Sequence, residues 1–115
     1  MPASFVFEAV SPAVVALTDA ATITVDASQG NDFRVTLGGN RAIASPSNPA
    51  DGQMIAFLLK QDATGSRTVT WSGAYNFGTA GAPVLSTMAS KTDVVAFKYV
   101  ASASAWYCTG TVLGF

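Results

Sequence analysis

From Ala21 onward, apolar and polar residues alternate with a period of two, which is the pattern of strands with one buried and one solvated face. In Thr22-Ile23-Thr24-Val25-Asp26 the aliphatic residues point one way and the threonines the other. Phe33-Arg34-Val35-Thr36-Leu37 repeats the alternation. Gly38-Gly39-Asn40 follows, residues that tolerate positive φ, and Arg41-Ala42-Ile43-Ala44 returns, so the pattern predicts a hairpin here. Ser45 to Gly52 is a connector stiffened by Pro46 and Pro49. Met54-Ile55-Ala56-Phe57-Leu58-Leu59 is apolar on both faces, the mark of a central strand covered on each side. Asp62-Ala63-Thr64-Gly65-Ser66 predicts a turn with an Asx hydrogen bond and Gly65 in the left-handed region, and Arg67 is placed to pair with Asp62 across it. Arg67 to Trp71 alternates again; residues 72–90, rich in Gly, Ala, Ser and Thr, read as a long loop. Val94 to Tyr99 and Ala105 to Leu113, separated by Ala101-Ser102-Ala103-Ser104, predict a second hairpin. The expected fold is all-β: about eight strands in an antiparallel β-sandwich or jelly-roll-like arrangement, with no amphipathic helix.

Residues 1–20 break the pattern. Phe5, Val6, Phe7, Val10, Val14 and Val15 follow no clean period and surround Pro12. Two readings fit: a first strand with an irregular lead-in, or an extended arm that packs on a neighbouring subunit. The organisation expected is therefore an arm or first strand over 1–20 and one β-sandwich domain over 21–115.

The 115 residues fit one domain, and half are apolar. Charged residues make up only 11%, below the roughly 25% of typical soluble domains, so the surface is either buried on neighbours or covered by small polar residues. A net charge of −1 supplies no basic field for nucleic acid, and no apolar stretch is long enough to cross a bilayer. No secretory signal stands at Met1-Pro2-Ala3-Ser4, so the protein is expected to be made and assembled inside the cell. The single cysteine, Cys108, reads as a buried thiol in a strand.

Catalytic equipment is missing from the pattern. There is no histidine, which removes the commonest general base and metal ligand. The seven carboxylates form no marked pair for glycoside cleavage. Asp26 and Asp32 offer two oxygens but match no calcium loop. The expectation is a non-enzymatic protein with no cofactor and no metal.

The strings Leu59-Lys60-Gln61-Asp62-Ala63-Thr64-Gly65-Ser66-Arg67-Thr68-Val69-Thr70-Trp71 and Lys91-Thr92-Asp93-Val94-Val95-Ala96-Phe97, with Asn48 to Gln53 before them and Trp106-Tyr107 after, resemble a module of tailed-bacteriophage structural proteins. The resemblance spans roughly residues 20–110. It implies a virion component, often trimeric, assembled in the host cytoplasm. A chain that is nearly the module alone points to a capsid decoration or cement protein that binds the major capsid protein and stabilises the head. The alternative it implies is a tail-fibre or tail-tip module that contacts a host glycan, with Tyr75 and Phe77 in the glycine-rich loop as the receptor contacts. Met54, Ala56 and Leu58, one face of the doubly apolar strand, are the expected subunit contact.

Overall fold

Nine strands form among residues 13–115, which the computed structural model describes. In chain order they are β1 (Val14–Ala16), β2 (Thr22–Ile23), β3 (Asp32–Leu37), β4 (Arg41–Ile43), β5 (Met54–Gln61), β6 (Val69–Trp71), β7 (Tyr75–Asn76), β8 (Thr92–Val100) and β9 (Ala105–Val112). A six-stranded sheet has the order β1-β3-β5-β8-β9-β7, and a small sheet has the order β2-β4-β6. Only short 3₁₀ turns interrupt them.

From β1 to β6 the chain alternates between the two sheets, one strand in each, and every pair within this part is parallel. The result is a short coil of three turns, built as solenoids are. Val15, Phe33 and Phe57 stand in register across β1, β3 and β5. Ile23, Ile43 and Trp71 do the same across the small sheet. Only β8 and β9 add antiparallel pairs, β8 against β5 and β9 against β8. The antiparallel sandwich expected from the alternation is therefore corrected to a mixed arrangement. Alternation fixes which face of a strand is buried, but parallel or antiparallel pairing depends on where the connection runs.

Residues 38–40 show this most directly. The predicted hairpin between β3 and β4 does not form; the two strands lie in different sheets. Neither Gly38 nor Gly39 has positive φ. Their small size serves an ion pair instead. Arg41 donates to both carboxylate oxygens of Asp19 at 2.8 and 3.0 Å, and the Gly38 N–H donates to Asp19 at 3.2 Å. A Cβ at Gly38 would stand 2.7 Å from Asp19 Oδ2, and one at Gly39 2.7 Å from Arg41 Nη1. Asn40 Oδ1 accepts the Thr68 N–H, tying this corner to the next turn of the coil.

The second predicted hairpin does form, with β8 and β9 joined through residues 101–104. The turn at 62–66 also matches its chemistry. Asp62 Oδ1 accepts the N–H groups of Thr64 and Gly65, Gly65 has φ +74°, and Arg67 lies 2.9 Å from the Asp62 carboxylate.

The core fills the space between the sheets. Phe33, Leu37, Phe57, Leu59, Val95, Phe97 and Trp106 of the large sheet meet Ile23 and Ile43 of the small one, all fully buried. Two buried polar side chains anchor the long loop over this core. The Gln61 amide donates to the carbonyls of Arg67 and Ser86 and accepts from the Arg67 N–H, each at 2.8 Å. Asp93 accepts from the Ser86 N–H and hydroxyl and from the Gly114 N–H at 2.7–2.8 Å.

Candidate interaction surface

The six-stranded sheet has an inner face on the core and an outer face with no layer over it among the described residues. On β5, Ile55, Phe57, Leu59 and Gln61 are buried, while Met54 is exposed and Ala56 and Leu58 are half-buried. The both-sided cover expected for β5 is thus present on one side only among the described residues.

Register assembles the outer face in rows. Asp32, Ala56, Ala96 and Gly110 align across β3, β5, β8 and β9. Ala16, Arg34, Leu58, Val94 and Val112 form the next row, and Met54, Lys98 and Tyr107 another. Met54 and Val112 are 57% and 54% exposed. Val112 owes its place to a bulge. Ala96 pairs with Gly110 and Phe97 with Cys108, so Thr109 is an extra residue and the side of every later β9 residue is inverted. Upstream of the bulge Trp106 points into the core; downstream of it Val112 stands beside Val94 on the outer face.

The polar members of this face are few. Arg34 makes a double hydrogen bond to Asp32 at 2.9 Å along its own strand, so this pair brings no net charge. Lys60 and Lys98 have no acidic partner among the described residues and flank the apolar rows. A groove at one end of the face is lined by Ala16, Leu17, Arg34, Leu58, Lys60 and Thr92. This arrangement can bury apolar area against another surface.

The carboxylates elsewhere are occupied locally. Asp26 accepts from the Ser28 N–H and hydroxyl and from Asn48, bonds that hold it below the usual carboxylate range, so it does not converge with Asp32. Asp51 accepts the Ala101 N–H. Among the described residues no three His, Cys, Asp or Glu side chains gather to hold a metal ion.

Of the residues singled out from sequence, Met54, Ala56 and Leu58 fall together on the outer face. Val14 and Val15 stand in edge strand β1; Phe5, Val6, Phe7 and Val10 lie outside the described residues. Tyr75 is corrected from a loop position to the core. It is 5% exposed, its hydroxyl donates to the Ala44 carbonyl at 2.8 Å, and burial pushes its phenol above the ordinary range. Its strand β7 pairs with β9 inside what reads as a loop. Phe77 is half-buried in the same aromatic cluster with Trp71 and Phe97, at centroid distances of 5.4 and 5.5 Å. Both rings thus contribute to packing, and Phe77 also lines a surface pocket with Asn76, Gly78, Tyr107 and Cys108. Sequence reasoning missed Val94, Ala96 and Val112, although the unbroken apolar run Val94–Phe97 carries the same signal as β5.

Residues 23–101 match the family described as "Putative phage tail fibre C-terminal domain". The chain belongs to that family. The match runs from the end of β2 through β8; β1 precedes it and β9 follows it. No curated protein matches the chain. One solved structure, titled "Structure of a chaperone-substrate complex", shares the fold over 86% of this chain with a TM-score of 0.54 at 14% identity. The chain spans only 18% of that structure's chain, so the likeness concerns one module of a larger protein.

Proposed function

We propose that this phage structural module serves in the tail as a non-enzymatic part of a fibre, associating as a homotrimer and with neighbouring virion proteins. Membership of the tail-fibre family carries the tail assignment. The uncovered outer face of the large sheet supports association. Full burial of an exposed aliphatic side chain contributes about 1.5–3 kcal/mol, and half-buried Leu58 has only the remaining part of that to gain on a partner. The low charge of the chain agrees, since with 11% charged residues in all few charged groups have to be desolvated on assembly.

Localisation on the particle tests the reading. Gold-labelled antibody against the protein is expected to mark the tail, with a handful of copies per particle by quantitative mass spectrometry. Label spread over the head at hundreds of copies would overturn it in favour of capsid decoration.

A further inference from the structure

We infer that the groove on the outer face receives the apolar segment Phe5–Val10 of a neighbouring copy, so that the subunits exchange N-terminal arms. Three observations support this occupant. The groove is apolar along Ala16, Leu17 and Leu58 and polar along Arg34, Thr36 and Thr92, and Lys60 lines it without an acidic partner among the described residues. The segment before β1 supplies Phe5, Val6, Phe7 and Val10 together with Glu8, the one acid that precedes β1. Apolar side chains bracketing a single carboxylate match the apolar part of the groove and its single free ammonium.

Direction, with the self-association proposed above, points to the neighbour, and a fold-back of the segment across the three-residue β1 is the outcome that overturns the exchange. β1 runs from Val14, beside the Asp32–Ala56 row, to Ala16, beside the Arg34–Leu58 row. The groove lies at the Ala16 end, where Arg34, Leu58, Lys60 and Thr92 meet. The chain therefore enters β1 from the end of the sheet away from the groove. To fill its own groove a segment has to double back over β1. Residues 1–12 reach about 40 Å when extended, against about 24 Å for the width of six strands. That is enough to leave the home sheet and cross onto another.

The inference rests on the self-association named above, but not on which part of the virion the protein occupies. Two differently tagged full-length chains, both carrying Cys108→Ser, are co-expressed, one with Val6→Cys and the other with Leu58→Cys. Mild oxidation is expected to give a covalent product containing both tags, whereas Val6→Cys with Thr64→Cys, in a turn remote from the groove, gives none. A disulfide that forms only within a single chain carrying both Val6→Cys and Leu58→Cys overturns the exchange, and so does the absence of any product. As a second readout, deletion of residues 2–11 is expected to convert the sedimenting oligomer to monomer. Undiminished association of the deletion variant, or a monomeric full-length chain, also overturns it. None of these outcomes bears on tail against head, which the labelling of particles decides.

Discussion

Phe57 and Leu58 are adjacent on β5, both apolar, and in opposite circumstances. Phe57 is fully buried, with Phe33, Trp71, Tyr75 and Phe97 at ring-centroid distances of 5.6–5.9 Å. Leu58 is half-buried on the outer face between Arg34 and Val94. The three turns of the coil complete the inner face; among the described residues no second layer lies on the outer one. A strand apolar on both sides therefore reports two different things, a core on one side and, on the other, the exposed apolar face on which the proposed association rests.

Substitution at these two positions separates the roles. Phe57→Ala opens a cavity among four rings and is expected to cost about 3–5 kcal/mol of unfolding free energy in urea. Leu58→Ala, measured on dilute monomer, is expected to cost about 1 kcal/mol or less. Similar losses at both sites would mean that the outer face is as much a core as the inner one.

The smaller effect concerns the corners that carry the chain between the faces. Hydrogen bonds from Arg41 and Arg67 hold the carboxyls of Asp19 and Asp62 below their ordinary range. Groups depressed in this way contribute stability that is present above the unfolded carboxylate value, about 3.9, and lost as pH falls through the lower folded values. The melting temperature is expected to fall between pH 5 and pH 3. Asp62→Asn should lower it at pH 5 and flatten that slope; an unchanged slope would show that the Asp62 corner contributes nothing. Both pairs sit half-buried at the surface, where solvent screens them, so the effect stays well below that of Phe57→Ala.

The sequence disclosed strands and faces more readily than partners. Alternation identified the inward residues of β3, and the run Met54–Leu59 identified β5 as central. The Asp62–Arg67 turn and the β8–β9 hairpin were legible because everything that forms them lies within a few residues. The coil was not. Ile23 and Ile43, twenty residues apart in the sequence, stack through connections that cross to the other sheet, and Gly38-Gly39 mimics a hairpin turn while making room for Asp19 and Arg41. Tyr75 was misplaced because its glycine-rich surroundings conceal a two-residue strand paired with β9 thirty residues on. On the outer face, Met54, Ala56 and Leu58 were visible within one strand. Val112 was not, because a bulge at Thr109 decides its side.

The account turns on the outer face being an association surface. Sedimentation equilibrium of the full-length chain beside Leu58→Lys tests this most directly, with circular dichroism to show that the β-structure is kept. The account predicts an oligomer for the natural chain and a folded monomer for Leu58→Lys, since an added ammonium beside Arg34 and Lys60 cannot be buried unpaired. A folded Leu58→Lys chain that sediments as the natural one does would contradict it.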